Sequence, residues 1–293
     1  MVGFLEIDVR SLDLELTLYP SYVLSLLDKK GKSYFKIAGA KRGCLMVIKG
    51  DRLITDCGPE ASQWSGSWFI EVLESNEPKG SVSWLLDLLR EQYPKLGLAV
   101  DPQDPLHILI AVFLSQATSF HSNVLKWLKV VWSRTENPFE AIEVIGEIAK
   151  SFQLKRLSTT FDCISSAVRG NLCEIRRNLI KCKYCGPKVA DAFLLFSLAD
   201  TTSAPIDRHF TSMVRKLGIW PKYKLARKEL CGIHACPECP ERGNCLRWLA
   251  SDSFGKLAGW VQTAFYLHEK LFCSGRKCRE CSLKRECSSV SKI

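Results

Sequence analysis

Apolar and polar residues alternate through residues 12–18 (LDLELTL), with Leu12, Leu14, Leu16 and Leu18 on one side, a period of two that predicts a half-buried strand. Short apolar-rich runs follow at 33–37, 45–49, 52–55 and 68–73, separated by turn residues such as Lys49-Gly50-Asp51. With one early helix near 22–28, this part reads as a small antiparallel sheet. Beyond residue 80 the spacing changes to that of helices, at 82–92, 105–118, 123–134 and 138–152, with further helical segments to about 198 and another over 257–271. Asp104-Pro105 and Asn137-Pro138 each set a capping residue before a proline at the first helical position. Residues 179–209 read as a helix ending near Lys181, a tight turn at 183–186, and an apolar helix restarting at Pro187. The pattern predicts a mainly α chain in three parts: an N-terminal antiparallel α+β domain (1–80), a helical domain (81–230) with a helix-hairpin-helix at 174–198, and a cysteine-rich region (231–293).

Composition narrows the class. At 293 residues and 46% hydrophobic content the chain can bury a substantial core. The opening MVGFLEIDVR has no basic n-region leading into an apolar stretch, so neither a signal peptide nor a secreted disulfide scaffold is expected. The longest apolar-rich run, 106–117, contains His107 and Gln116 and is shorter than the about 20 residues a bilayer crossing needs. An intracellular location, cytoplasmic or nucleoid/nuclear, and no membrane partner are expected. Residues 171–293 hold 22 of the 41 Lys and Arg but 11 of the 31 Asp and Glu, so they carry the whole +10 excess. Such one-sidedness suits a polyanion such as nucleic acid, or simply a solvated basic face.

The 14 cysteines are not scattered. The spacing C-x4-C-x2-C-x5-C occurs at Cys231, Cys236, Cys239 and Cys245, and again at Cys273, Cys278, Cys281 and Cys287. Four thiolates per loop match the ligand count of a [4Fe–4S] cluster or a structural zinc. Cys182 and Cys185, with Cys173 nearby, allow a zinc knuckle or a redox pair as well.

In the helix-hairpin-helix, the first N–H groups of the second helix lack intrahelical partners and lie at the positive end of its dipole. A DNA phosphate can dock there whatever the base sequence.

On these residues the chain resembles the helix-hairpin-helix DNA glycosylases of base excision repair, the HhH-GPD superfamily. GPKVAD (186–191) and APIDRH (204–209) are similar to motifs of its 8-oxoguanine and endonuclease III branches. The resemblance implies a two-lobed helical core, Lys188 as catalytic nucleophile and Asp207 as its supporting carboxylate. LSQAT (114–118) resembles the segment whose glutamine fills the gap left by a flipped base, which maps to Gln116. The Cys273 quartet follows a helix as the [4Fe–4S] loop of the endonuclease III branch does. Lys183, Tyr184, Gly186 and His209 complete the expected DNA contacts, His209 being equally readable as a packed histidine. Double-stranded DNA carrying a damaged base is the implied partner, and a monomer the implied state.

The chain departs from the pattern in places. The family hairpin reads L-P-G-V-G where Cys182 to Gly186 stand here, so Tyr184 replaces a glycine, at about 1–2 kcal/mol of strain if the backbone is kept. The last quartet has x4 where that branch has x6, and the Cys231 quartet has no family counterpart. A [4Fe–4S] cluster is expected at the Cys273 quartet, and a second cluster or zinc at the Cys231 quartet.

The chemistry agrees with these residue types. Breaking an N-glycosidic bond develops positive charge on the sugar, which a carboxylate stabilises. A lysine whose pKa is lowered by burial can form a Schiff base that permits β-elimination. Lys188 and Asp207 thus predict a glycosylase/AP lyase acting on an oxidised base, 8-oxoguanine or an oxidised pyrimidine. The rival readings are a metal-bearing DNA-binding protein without catalysis and a two-cluster electron carrier. The latter lacks the ferredoxin spacing.

Overall fold

The computed structural model describes residues 4–148 and 151–287. The outermost residues of the first and last anticipated domains, and residues 149 and 150 of the anticipated 138–152 helix, lie outside the described residues.

Five strands, β1 (Leu5–Asp8), β2 (Leu27–Lys30), β3 (Ser33–Lys36), β4 (Leu45–Lys49) and β5 (Arg52–Thr55), form one antiparallel sheet in the order β1-β5-β4-β3-β2. The β4–β5 hairpin turns at Gly50 (φ +58°), pairs Lys49 with Arg52, and is tied by a disulfide between Cys44 and Cys57 at its open end.

Two anticipated strands are helices instead. Residues 12–18 form α1 (Leu14–Leu18): Asp13 caps it by accepting from the Leu16 N–H at 3.0 Å, and Leu14, Thr17 and Leu18 make the buried face. The alternating leucines misled because Leu14 and Leu18 satisfy i,i+4 as well as period two. After α2 (Ala61–Ser65), residues 68–73 enter α3 (Phe69–Ser75), where Phe69 and Leu73 bury at i,i+4. The early helix near 22–28 is a 3-10 turn, Tyr22–Leu26, running straight into β2.

The helical part follows as α4 (Ser83–Gln92), α5 (Pro105–Leu114), α6 (Leu125–Arg134), α7 (Glu140–Ile148), α8 (Phe152–Ala167), α9 (Leu172–Lys181), α10 (Pro187–Leu198), α11 (Arg208–Leu217), α12 (Lys228–Cys231), α13 (Leu246–Phe254) and α14 (Ala258–His268). α5, α10 and α14 are apolar almost all round and buried, as core helices must be. α5 packs on both α10 and α8. α5 stops four residues earlier than 105–118 suggests, because Ala117 takes a left-handed backbone (φ +51°). No helix among the described residues is long and apolar enough to cross a membrane.

A buried charge cluster fastens the sheet to the helices. Lys36 of β3 donates to Asp101 at 2.6 Å and to Asp104 at 2.7 Å, and its ammonium lies 3.6 Å from the centre of a Trp64 ring. Asp104 therefore does not cap α5 with its side chain. Its other oxygen accepts from the Ala40 N–H at 2.8 Å. Gly39 (φ +79°) is required beside it, since a Cβ there would meet the Asp104 carboxylate at 2.3 Å.

Candidate active site and cysteine loops

The hairpin runs from Cys182, which ends α9, to Gly186, the N-cap of α10. Tyr184 holds the left-handed backbone (φ +63°) expected of a glycine. Its surroundings supply what offsets the strain. The Arg156 guanidinium sits 4.7 Å from the Tyr184 ring and 4.7 Å from that of Phe152. Thr160 Oγ1 donates to the Lys183 carbonyl at 3.1 Å, and Lys228 Nζ to the Cys182 carbonyl at 2.7 Å. Lys183 itself is exposed.

Cys182 is disulfide-bonded to Cys163 of α8, which replaces the zinc-knuckle and Cys182–Cys185 redox readings. Cys185 is a buried thiol pushed up to about 12 by desolvation, and Cys173 is free and exposed.

A broad cleft opens over the N-terminus of α10 and is lined by the hairpin's Gly186, by Lys188 and by Gln116. From it a small inner cavity of about 50 Å³ leads between Tyr22, Phe120, Phe196 and Tyr266. Its polar groups are Lys188, Asp207 and Gln262. Gln262 is 7% exposed and makes no side-chain hydrogen bond among the described residues.

Lys188 Nζ donates to Tyr22 Oη at 3.1 Å and to Ser115 Oγ at 3.4 Å. Burial works against its charge, but the Tyr22 oxygen and the Asp207 carboxylate outweigh it and hold the amine above the usual lysine range. This is opposite to the lowered pKa expected of a resting nucleophile, and the cause is Tyr22 and the Asp207 carboxylate rather than a lack of burial.

Asp207 caps α11 by accepting from the Phe210 N–H at 2.8 Å. His209 is a packed histidine: buried, its Nδ1 lies 2.7 Å from Glu269 Oε2, and its ring meets Tyr266 edge-on at 4.9 Å. Gln116 stands at the cleft, its side-chain amide donating to the Phe113 carbonyl at 3.0 Å and its backbone carbonyl accepting from the buried Gln153 amide at 3.2 Å.

Behind the cleft, Asp191 joins three helices. Arg176 of α9 grips it in a two-point contact at 2.7 and 3.1 Å, and Arg247 of α13 reaches it at 3.3 Å. Burial raises the Asp191 pKa, but the two guanidiniums hold it below the usual carboxylate range.

The two cysteine loops share one backbone plan. Each starts where a helical segment ends on its first cysteine, at Cys231 and Cys273. In each, the third cysteine's N–H returns to the second's carbonyl, Cys239 to Cys236 at 3.3 Å and Cys281 to Cys278 at 3.4 Å. A 3-10 turn then leads to Cys245 or Cys287.

Cys273, Cys278, Cys281 and Cys287 line one small cavity of about 30 Å³, with Met213, Leu217 and Leu283 as apolar neighbours and Lys216 and Lys284 as cations. Burial raises the Cys281 thiol, and Cys273, Cys287 and Cys278 all act on it electrostatically. In the first loop, Arg176 Nη2 approaches Cys231 Sγ at 3.9 Å, and Arg247 also acts on Cys236. In neither quartet do three sulfurs lie within 4.8 Å of one another. Around tetrahedral zinc, with Zn–S about 2.3 Å, thiolates sit about 3.8 Å apart.

No family model and no curated protein matches the sequence. Solved structures do. An 8-oxoguanine glycosylase/lyase from Clostridium acetobutylicum, in complex with double-stranded DNA containing cytosine opposite 8-oxoG, aligns with TM-score 0.63 at 17% identity, over 92% of this chain and 99% of that one. The structure of MBOgg1 with a low-affinity DNA ligand aligns with TM-score 0.61 at 17% identity, over 91% and 95%. A 3-methyladenine DNA-glycosylase from Archaeoglobus fulgidus aligns with TM-score 0.60 at 12% identity, over 92% and 99%. This chain has the HhH-GPD glycosylase fold.

Within that fold, Lys188, Asp207 and Gln116 line one cleft. Tyr22, Ser115 and Gln262 were missed. Tyr22 reaches Lys188 from 166 positions away and belongs to no motif. Gln262 did leave a trace, as the amide in the otherwise apolar AGWVQTAF.

Proposed function

We propose that the chain is a DNA glycosylase with AP-lyase activity that excises an oxidised base from double-stranded DNA, acting as a monomer. The observation that carries this is the inner cavity itself. An amine, two residues past a hairpin suited to a DNA phosphate, shares it with a carboxylate, among the aromatic rings of Tyr22, Phe120, Phe196 and Tyr266. A base inside a duplex is out of reach, so the nucleotide flips out at a cost of about a few kcal/mol.

Gly186 and the start of α10 grip the backbone, with Lys183 and Tyr184 at the turn and His209 bracing the far wall. Gln116 stands where the vacated stack needs filling. Aromatic faces hold the extruded base, and the Gln262 amide, able to donate and accept, meets its edge. Asp207 stabilises positive charge developing on the sugar. Once its ammonium has passed a proton to solvent, the Lys188 nitrogen bonds to C1′ through its lone pair as the C1′–N glycosidic bond breaks, and the base leaves with that bonding pair and takes up a proton. The likeness to 8-oxoguanine glycosylase/lyase structures supports the oxidised-purine side of the reading.

Both cysteine loops fit [4Fe–4S] clusters. Four thiols line one cavity in the second loop, and the first loop repeats its backbone. Cationic neighbours offset the charge of a thiolate-ligated centre. Bound clusters would tie these loops down and supply a one-electron couple, while the excision chemistry stays with the residues of the cleft.

One observation favours a DNA-binding protein without catalysis: the amine is held as a cation in the free protein. Duplexes carrying single oxidised purines or pyrimidines, incubated with borohydride, separate the two. The enzyme releases base and gives a trapped adduct, both abolished by Lys188→Ala. Intact DNA and no adduct across the whole panel would leave only binding.

A further inference from the structure

The hydroxyl of Ser115 lies 2.7 Å from the Val112 carbonyl, which can only accept, so the serine's single proton is committed there. In its 2.8 Å contact with Tyr22 Oη, the phenol must therefore be the donor. Tyr22 then presents only lone pairs to Lys188, and so does Ser115, at 3.1 and 3.4 Å from Nζ. The phenol cannot swing away easily. Its ring is wedged edge-on against Phe120 and Phe196, each 5.1 Å between centres.

A lysine ammonium has three N–H groups, and the two oxygens take two of them. Once a proton is lost, the neutral amine keeps two N–H groups and one lone pair. With both N–H groups still on Tyr22 and Ser115, the lone pair falls in the remaining tetrahedral direction, open to the cavity that Lys188 and Asp207 both line. We propose that Tyr22 and Ser115 are positioning residues, a two-oxygen cradle that aims the Lys188 lone pair at the deoxyribose carbon. The proposal rests on the glycosylase/lyase reading and deepens it. It gives the N-terminal part of the chain, which supplies Tyr22, a share in the reacting centre.

The groups facing the amine are Tyr22 and Asp207, with Tyr266, Arg208, His209 and Lys270 around the cleft. Because Tyr22 helps to hold the amine protonated, the cradle also sets the pH at which the nucleophile becomes available.

The test uses a duplex with one abasic site, which needs no knowledge of the lesion. The Lys188 nitrogen bonds to C1′ of the ring-opened sugar aldehyde, its oxygen leaves as water, and borohydride delivers hydride to the C=N carbon to leave a secondary amine. Tyr22→Phe keeps the ring and removes the oxygen.

At saturating DNA the variant should form adduct slower, on the order of 10²-fold. The acid limb of its pH–rate profile should move to lower pH, with DNA affinity unchanged and the thermal midpoint lowered by no more than the loss of one hydrogen-bonding hydroxyl. Ser115→Ala should give a smaller loss in the same direction. Adduct formation by Tyr22→Phe at the wild-type rate with an unmoved limb overturns the cradle and leaves the lyase reading standing. So does a loss matched by equal losses of DNA affinity and stability, which would mark Tyr22 as structural. Failure of the wild-type protein to form any adduct overturns both.

Discussion

Lys188 stands in the first turn of α10, where a cation opposes the helix dipole. The protein meets that cost with two oxygen acceptors and a nearby carboxylate. At the same scale, Asp191 is the one carboxylate among the described residues that pairs with Arg176 and Arg247, all three nearly fully buried. Asp191→Ala should therefore destabilise the protein by about 3–5 kcal/mol, because two guanidiniums are left uncompensated. Urea unfolding checks this, and a loss under about 1 kcal/mol would show that water replaces the carboxylate.

Lys188 and Asp207 were legible because each lies inside a local motif. Asp191 was visible as a residue of GPKVAD, but its role was not. That role depends on Arg247, 56 positions away, and spacing along a chain carries no record of such a meeting. Tyr22 is the harder case, since its phenol reaches the amine only once the sheet is docked on the helices.

Among the elements, helices were read better than strands. α9 and α10 were anticipated from the turn between them and from Pro187, which starts the second; the capping box at Asn171 and Glu174 that starts the first is seen in the structure. α1 and α3 were misread because a window of five to seven residues holds too few apolar positions to separate a period of 2 from one of 3.6.

The docking of β3 onto the loop before α5 through Lys36 has a consequence for pH. Burial raises the Asp101 carboxyl to about 6, with Lys36 pulling the other way. An acid raised in the fold binds more protons there than in the unfolded chain between about pH 4 and 6. Its contribution to stability is thus present below about pH 4 and lost as pH rises through 6. Asp101→Asn removes that titration, so the stability difference between wild type and variant should shift against the wild type from pH 4 to pH 7. A difference independent of pH would mean that Asp101 is ionised throughout.

Taken whole, the molecule sets its hairpin, Lys188 and Asp207 around one cleft, with Arg247 between that cleft and the first cysteine loop. The repeated spacing was evident in the chain itself, and the structure adds that both loops follow one backbone plan. Anaerobically purified protein should contain about eight iron and eight sulfide per chain. Cys278→Ser should roughly halve both, and so should Cys236→Ser. Zinc in place of iron in the wild-type protein would contradict the assignment. Cys163–Cys182 and Cys44–Cys57 were not foreseen, because pairing depends on α8 reaching the hairpin and on the β4–β5 register.

The central claim is that one amine bonds covalently to deoxyribose. Peptide mapping by mass spectrometry of the borohydride-trapped adduct with an abasic duplex tests it most directly. The account predicts a single modified residue, Lys188, with no adduct from Lys188→Ala. A sugar remnant on Lys183 or Lys270 instead, or no covalent product at all, would contradict it.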